Sequence, residues 1–310
     1  MTFDKTKSVP IVIVHRGRQD YLKACISKAK QCNSNSEIFL IGDTSNRDFS
    51  KNHYDIDCVH SPILKDIRAF RKTYVHSSGL CSSFEKFCIE RWLLIRNLML
   101  HLDLDTCCAI DSDVLFYSGV EEVQEEISGC AMSFGRWNQN MFFPHFNLIQ
   151  SRNALESFCL FTLELYKSKS KLEKLVAENS VHGGRAWICD MLLFWKWSQE
   201  NPHFKLAIFE SLPSKISYFD NSIGRTEGFT HSPFNLGITK KWKKLSFQDG
   251  RALLHSATNN PLKAKFIHYH GIFKCLMTRH SHGQEDTLAC FFIVLKAKLI
   301  YELFRPLRKK

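Results

Sequence analysis

Short apolar runs separated by amphipathic segments make up the first third of the chain. Residues 9–14 form an apolar, largely β-branched run of strand length, which is typical of a buried strand in a parallel sheet. Asp20 is expected to cap a helix that runs to about Cys32, and residues 37–41 predict a second strand ending in Gly42-Asp43. A strand, a helix and a strand in this order begin a doubly wound nucleotide-binding sheet.

The middle of the chain repeats this alternation with a stronger helical signal. Residues 84–102 predict a helix, because apolar side chains recur at steps of three and four. These side chains are Phe87, Trp92, Ile95, Leu98, Met99 and Leu102. Residues 107–110 predict a third buried strand, residues 119–127 an acidic helix, and residues 131–134 a further strand.

The remaining elements are predicted from longer segments. Residues 151–178 have helical spacing throughout and predict one helix, which His182-Gly183-Gly184 follows as a break. Residues 187–197 predict a compact apolar helix that carries Asp190, and residues 265–267 predict a late strand. We therefore expect an α/β protein with a mostly parallel, Rossmann-like central sheet flanked by helices.

Composition limits the class of protein. Hydrophobic residues make up 44% of the 310 residues, enough for a full core. The 42 basic against 31 acidic residues give a net charge of +11, which suits anionic partners such as nucleotide phosphates, acidic lipids or nucleic acid. The 12 cysteines include no C-x-x-C pair, and no segment near Met1 resembles a secretory signal. We expect a cytoplasmic protein with reduced thiols.

The last part of the chain differs in character. Residues 288–295 are uncharged and mostly apolar, and basic residues then accumulate. The basic residues are Lys296, Lys298, Arg305, Arg308, Lys309 and Lys310. The segment is too short to span a bilayer. It predicts a C-terminal helical, basic extension, which either lies on an anionic membrane surface or docks on the core with a solvated basic end.

The most informative motif is Asp111-Ser112-Asp113, which follows the third predicted strand and precedes another apolar run. Charges in such a run require compensation. In an extended strand residues i and i+2 share a face, so both carboxylates would reach one divalent cation. The position at the carboxyl end of a strand is where open α/β sheets bind ligands. A turn or a capped helix start is the alternative interpretation.

A second motif, His268-x-x-Gly271-x-x-Lys274, occurs late in the chain. Histidine beside carboxylates suits Mn²⁺ better than Ca²⁺. Gly271 permits close approach of the backbone to a phosphate, and Lys274 supplies a point charge for it. The alternative is a chance grouping of histidines and a glycine in a basic segment.

With these motifs in this order, the chain resembles nucleotide-sugar glycosyltransferases of the GT-A fold, over roughly residues 9–275. The late motif looks like the H-x-x-G-x-x-K element of the glycogenin-like and lipopolysaccharide galactosyltransferase family, which pairs it with a D-x-D element. This implies that Asp111, Asp113 and His268 hold Mn²⁺ or Mg²⁺ on a nucleotide diphosphate. Ser112, Gly271 and Lys274 would contact the nucleotide. Cys275-Leu276 stands where that family usually has Pro-Trp.

The resemblance also suggests where donor and acceptor lie. Candidates for contacts with the base and ribose are Val14, His15, Arg16 and Asp43. Arg91 and Arg96 either reach the diphosphate, extend to solvent, or pair with Glu85 or Glu90. Asp190 either contacts sugar hydroxyls, acts as a general base in an inverting reaction, or is a structural carboxylate. The H-x-x-G-x-x-K element favours a retaining reaction.

We therefore expect a metal-dependent hexosyltransferase. It would move a sugar from a UDP-sugar to a glycan or lipid-linked acceptor in surface polysaccharide or lipopolysaccharide synthesis, at the inner face of a membrane. Residues 1–282 would form the GT-A-like domain, with a nucleotide-binding half over about 1–118 and an acceptor half over about 119–282. Residues 283–310 would form the amphipathic basic tail.

The sequence leaves three alternative functions to consider. A sugar-nucleotide pyrophosphorylase would need a glycine-rich loop containing arginine after the first strand, where only Gly17 occurs. A non-catalytic protein that binds nucleic acid or anionic lipid is compatible with the charge, although no nucleic-acid motif is recognised and we expect no nucleic-acid partner. An inactive relative of the glycosyltransferases is the third.

Overall fold

The computed structural model describes residues 8–58, 61–181, 185–212, 217–232, 241–258 and 261–304. The predicted break at His182-Gly183-Gly184 and the last six residues of the basic tail lie outside these ranges. Among the described residues, no helix combines the length and the apolar character needed to cross a membrane.

Both strands and helices are present throughout the described residues. The strands are β1 (Ile11–Val14), β2 (Ile38–Gly42), β3 (Asn52–Asp55), β4 (Cys107–Ile110), β5 (Val114–Phe116), β6 (Met132–Asn138), β7 (Met141–Phe143), β8 (Phe146–Ile149), β9 (Ser180–Val181), β10 (Arg185–Ala186), β11 (Leu206–Ile208), β12 (Ser217–Asp220), β13 (Leu245–Gln248), β14 (Arg251–His255) and β15 (Pro261–His268). The helices are α1 (Asp20–Cys32), α2 (Ile67–Thr73), α3 (Ser82–His101), α4 (Val120–Glu126), α5 (Arg152–Lys167), α6 (Lys169–Glu178), α7 (Asp190–Glu200), α8 (Met277–Ser281) and α9 (Thr287–Phe304).

The chain divides into two compact units. The first unit comprises residues 1–17, 35–110 and 126–211, and the second comprises residues 18–34, 111–125 and 212–310. Each unit is therefore assembled from separate stretches of sequence.

The first unit is built around a five-stranded sheet in the order β3-β2-β1-β4-β8. Strands β3, β2, β1 and β4 are parallel, and β8 runs antiparallel to β4. Ile11, Ile13 and Leu40 are fully buried in it, as continuous apolar strands of a covered parallel sheet should be. The predicted α/β class with a mostly parallel central sheet is confirmed.

An aromatic cluster joins three helices of the first unit. The Phe194 ring of α7 stacks on Phe158 of α5 and meets the edge of Trp92 of α3, with the Trp92 and Phe194 centroids 4.8 Å apart. All three rings are buried, and each such pair contributes about 0.5–1.5 kcal/mol beyond burial. This packing holds the start of α7 against α3.

The second unit is organised around β15. Strand β15 is parallel to β12 and antiparallel to β14, β14 is antiparallel to β13, and β5 pairs with the end of β15. Phe266 and Ile267 of β15 are fully buried. The predicted strand over residues 265–267 is therefore present but longer.

Two predicted helices have different bounds. The single helix expected over residues 151–178 is wrong: Ser168 leaves the helical region at φ −102° and ψ 101°, and its side chain caps α6 by accepting from the Lys171 N–H. The helix expected from residue 187 begins only at Asp190. Helix α1 has the predicted extent, but Asp20 is its first residue and Gln19 occupies the capping position.

Candidate functional site

Strand pairing in the second unit brings the two sequence motifs together. β5 and β15 are antiparallel, with Val114 opposite His268. The Tyr269 N–H donates to the Asp113 carbonyl at 2.8 Å, which extends the pairing by one residue. Asp113 immediately precedes β5, so the register places its side chain beside His268. The 155-residue separation between the two motifs is thus closed by a single strand pair.

The first motif forms a turn. The Val114 N–H donates to the Asp111 carbonyl at 3.1 Å, so the two aspartates do not share the face of an extended strand, and that part of the prediction is wrong. Their carboxylates still converge. One ligand atom from each of Asp111, Asp113 and His268 lies within 4.8 Å of the others. Asp113 and His268 are buried, whereas Asp111 is half-buried.

A backbone carbonyl orients the His268 ring. The Nδ1–H donates to the Asn221 carbonyl oxygen at 2.8 Å, which directs Nε2 toward Asp113 Oδ1 at 3.4 Å. Burial lowers the pKa of His268, but the nearby Asp113 carboxylate outweighs it and the net pKa is raised. Fixing one imidazole nitrogen so that the other faces a site is the usual arrangement of a metal-ligating histidine.

Lys274 completes the cluster from the 3₁₀ helix Gly271–Leu276. Its Nζ lies 2.9 Å from Asp113 Oδ2 and 4.9 Å from the centre of the Tyr21 ring. Burial lowers the pKa of Lys274, but Asp113 raises it further, so the ammonium stays charged. Gly271 opens this helix at φ +66°, a conformation that favours glycine, and a Cβ there would meet no atom within 4 Å.

The donor set suits a divalent cation. It contains two carboxylates and one oriented imidazole, a mixed oxygen and nitrogen set that suits Mn²⁺ better than Ca²⁺. The His268 and Lys274 charges hold the pKa of Asp113 far below its usual range, despite burial that opposes this. Asp113 therefore stays ionised as a ligand must, and Asp111, Asp113 and His268 fit a metal site.

Two participants in this cluster were not anticipated from the sequence. Tyr21 is the second residue of α1 and carries no motif, and Asn221 contributes its main-chain carbonyl, which no side-chain pattern reveals. Ser112 is buried within the turn.

The candidate base and ribose contacts lie in the first unit, at the carboxyl ends of β1 and β2. Val14 and His15 are buried, whereas Arg16 is exposed and pairs with Asp57 at 3.1 Å. Asp43 accepts from the N–H groups of Gly17 and Ser45 at 2.6 and 2.9 Å. Burial alone would raise the pKa of Asp43, but hydrogen bonds from Ser45 and Gly17 together outweigh it, and the pKa is lowered. The structure thus brings these four candidates to one sheet edge.

Asp190 lies at the start of α7, also in the first unit. Its Oδ2 accepts from the Arg91 guanidinium at 2.8 Å and from Trp92 Nε1 at 3.1 Å. Glu85, which the sequence indicated only as a possible partner of an arginine, lies in the same buried cluster. Burial, and then the Asp190 charge, raise the pKa of Glu85 to about 7.

The two arginines on α3 have carboxylate partners, which include residues that the sequence did not indicate. Arg91 pairs with Asp190, and Glu90 pairs instead with Arg71. Arg96 is buried and binds the carboxylates of Asp66 and Glu156, so it ties α3 to its neighbours within the first unit. These pairings depend on helix packing, which charge patterns along α3 do not specify.

The chain resembles known proteins in structure rather than in sequence. No protein-family profile matches the sequence, and no curated protein matches it significantly. Among solved structures, the bifunctional glycosyltransferase WbbM is 14% identical with a TM-score of 0.49, over 94% of this chain and 52% of that one.

Two further solved structures resemble the chain. The galactosyltransferase LgtC, solved with donor and acceptor sugar analogs, is 13% identical with a TM-score of 0.43, over 92% of this chain and 95% of that one. Mouse xyloside xylosyltransferase 1 is 11% identical with a TM-score of 0.44, over 68% and 87%. The fold thus resembles that of solved glycosyltransferases. Because identities and TM-scores are low, these likenesses carry no argument about individual residues.

Proposed function

We propose that the protein is a metal-dependent glycosyltransferase that transfers a sugar from a UDP-sugar to a glycan or glycolipid acceptor. The observation that carries this proposal is the convergence of Asp111, Asp113 and His268 with Lys274 in the second unit. Two carboxylates, an oriented imidazole and a mobile ammonium form a clamp for a diphosphate.

The chemistry of sugar transfer matches this set of groups. Departure of the nucleoside diphosphate develops negative charge, which a divalent cation bound at Asp111, Asp113 and His268 would offset. The Lys274 ammonium lies 2.9 Å from Asp113 Oδ2, and its side chain is partly exposed, so it can turn to a phosphate oxygen. Ser112 and Gly271 present backbone to the same nucleotide, because neither carries a bulky side chain.

The remaining candidate residues would bind the substrates and would take no part in forming the new glycosidic bond. His15, Arg16 and Asp43 would position the base and ribose. Asp190 would accept hydrogen bonds from sugar hydroxyls, because Arg91 and Trp92 already fix its carboxylate. A carboxylate that two fixed donors hold in one position is suited to orienting a sugar, and this role is compatible with a retaining reaction.

The acceptor is proposed to be lipid-linked, which would be met at an anionic membrane surface. Four apolar side chains on one face of α9, Leu288, Phe292, Leu299 and Leu303, are each at least 51% exposed. Lys296 and Lys298 lie on the same helix, and four more basic residues follow it in sequence. An apolar helix face flanked by basic residues suits anionic headgroups.

Release of UDP from a panel of UDP-sugars tests the enzymatic proposal directly. We expect release from at least one of them in the presence of Mn²⁺ and none after chelation. Failure of every UDP-sugar, with Mn²⁺ or Mg²⁺ and with lipid-linked and free glycan acceptors, would overturn it. Flotation with anionic vesicles tests the membrane step separately: Phe292→Glu should abolish flotation, and co-flotation of that variant would contradict the role of α9.

A further inference from the structure

A second cluster of ligand-type side chains lies in the second unit, apart from the residues of the diphosphate clamp. One ligand atom from each of His280, Glu285 and Cys290 lies within 4.8 Å of the others. His280 and Cys290 are fully buried, and the Glu285 side chain is 8% exposed. The three residues have a spacing of five, H-x-x-x-x-E-x-x-x-x-C.

A tight turn builds this cluster from one short segment. Helix α8 ends in a turn in which the Gly283 N–H donates to the His280 carbonyl at 3.1 Å, and Gly283 adopts φ +70°. The Asp286 carboxylate then accepts from the N–H groups of Leu288 and Ala289, which caps the start of α9. The turn and cap carry Cys290 back onto His280, with Sγ 3.7 Å from Nε2.

A chain of hydrogen bonds assigns the proton on the His280 ring. The Tyr117 hydroxyl donates to the His280 carbonyl at 3.2 Å. Its oxygen therefore accepts from the Tyr269 hydroxyl at 3.4 Å, and Tyr269 in turn accepts from His280 Nδ1–H at 2.9 Å. Each hydroxyl has only one proton to give, so Nδ1 carries the ring proton and Nε2 faces the cluster.

The contact between His280 and Glu285 is close but poorly formed as a hydrogen bond. Nε2 lies 2.7 Å from Oε2, yet both Glu285 oxygens are buried without a hydrogen-bond partner among the described residues. A buried carboxylate left in this state is costly. A cation placed off the line between Nε2 and Oε2 would satisfy both atoms and Cys290 Sγ together.

We propose that His280, Glu285 and Cys290 bind a structural Zn²⁺ ion. Zinc prefers nitrogen and sulfur ligands and accepts carboxylate oxygen, and the pairing of imidazole Nε2 with thiolate at 3.7 Å suits adjacent ligands of one ion. On binding, the Cys290 thiol releases its proton to solvent. The thiolate and the Glu285 carboxylate then balance the two positive charges of the ion.

The surroundings are consistent with a thiolate ligand. Burial, and then the Glu285 carboxylate, raise the pKa of the Cys290 thiol to about 11, and the Arg279 charge and its hydrogen bond oppose only part of that rise. The Arg279 guanidinium therefore faces the sulfur as a cationic partner for a thiolate. The Tyr269 hydroxyl supplies the partner for the non-ligating ring nitrogen. The ion would join the end of α8 to the start of α9 and so fix the base of the C-terminal helix.

Cobalt substitution in the full chain tests this site by a signal that requires a thiolate ligand. Co²⁺ added to the chelator-treated protein should give a thiolate-to-cobalt charge-transfer band, which added Zn²⁺ abolishes. The Asp111, Asp113 and His268 set contains no cysteine and should contribute nothing to this band. Absence of the band in the wild-type protein would overturn the proposal without any variant.

Matched variants locate the ion. Cys290→Ser should remove the band, and Cys32→Ser should keep it, because the Cys32 thiol donates to the Phe116 carbonyl at 3.4 Å and a hydroxyl can replace it. Glu285→Gln should weaken Co²⁺ binding by at least about 10-fold. Because glutamine keeps the shape of the glutamate side chain, this variant tests the site even if Cys290→Ser does not fold. An unchanged band in Cys290→Ser, or unchanged affinity in Glu285→Gln, would contradict the assignment.

Discussion

Asp113 and Asp190 are both buried aspartates beside a cation, one in each unit, yet their surroundings differ. Asp113 is paired with Lys274, whose side chain is 33% exposed and joined to the backbone by a flexible stem. Asp190 is paired with Arg91, whose side chain is 13% exposed, and also accepts from Trp92. Asp113 has a second carboxylate and an imidazole within ligand distance.

Asp113 can exchange its cationic partner, whereas Asp190 is held in one position by its partners. A lysine is a compact charge that can leave Asp113 when a cation and a phosphate arrive, because its stem rotates freely. An arginine fork with an indole N–H fixes one geometry. We therefore assign Asp113 to the chemistry of diphosphate departure and Asp190 to support and orientation, and the following substitutions test that contrast.

Asp113→Asn should have the largest effect. Loss of one anionic metal ligand removes several kcal/mol of transition-state stabilisation, so we expect kcat/KM for the UDP-sugar to fall roughly 10³-fold. Asp249→Asn, at an exposed aspartate in the turn between β13 and β14, is the matched control and should keep full activity. Equal activity in the two variants would remove Asp113 from the site.

Arg91→Met should mainly reduce the stability of the fold. It leaves the buried Asp190 carboxylate without its guanidinium partner, which costs about 3 kcal/mol of unfolding free energy. Denaturant titration of the purified variant measures this loss. Lys169→Met breaks an exposed pair with Glu173 and should change stability by less than about 0.5 kcal/mol. Similar stabilities for the two variants would show that Arg91 does not hold Asp190.

Lys274→Met should reduce activity while leaving the fold intact. Loss of a charge-assisted hydrogen bond to phosphate is worth about 1.5–3 kcal/mol, or roughly 10–100-fold in kcat/KM. His268 still offsets Asp113, so Tm should fall much less than in Arg91→Met. Lys263→Met, on the exposed side of β15, serves as control. If Lys274→Met loses stability but retains kcat/KM, the lysine is structural.

Glu85→Gln should change only the pH dependence of stability. The pKa of Glu85 is raised from 4.5 to about 7 by burial and by Asp190, so the folded protein retains this proton over a range where the unfolded chain has lost it. Wild-type stability should therefore fall as pH rises from about 4.5 to 7, by about 1 kcal/mol per pH unit. Tm measured across this window should fall less in Glu85→Gln; identical slopes would contradict the assignment.

Local sequence patterns predicted much of the first unit. The apolar run over residues 9–14 and the strand over residues 107–110 are present, because continuous β-branched runs suit buried parallel strands. The break at Ser168 was missed, because a single serine within helical spacing gives no signal until its side chain caps the next helix. The division of the chain into nucleotide-binding and acceptor halves remains a prediction.

The candidate site was only partly accessible to sequence reasoning. The aspartates and His268 carry chemistry in their side chains and match motifs of the family that the chain resembles, and that resemblance implied their grouping. Tyr21 and the Asn221 carbonyl join through tertiary contacts that no motif encodes. The same holds for Arg91, whose partner lies 99 positions away on α7, and for Glu85, whose pKa depends on burial.

Calorimetric titration of UDP, with and without Mn²⁺, tests the central claim most directly. If Asp111, Asp113 and His268 hold a cation that binds a diphosphate, Mn²⁺ should tighten UDP binding to the wild-type protein by at least about 10-fold. The same addition should leave UDP affinity unchanged in Asp113→Asn. Equal UDP affinity with and without Mn²⁺ in the wild-type protein, or the full Mn²⁺ effect in Asp113→Asn, would contradict the account.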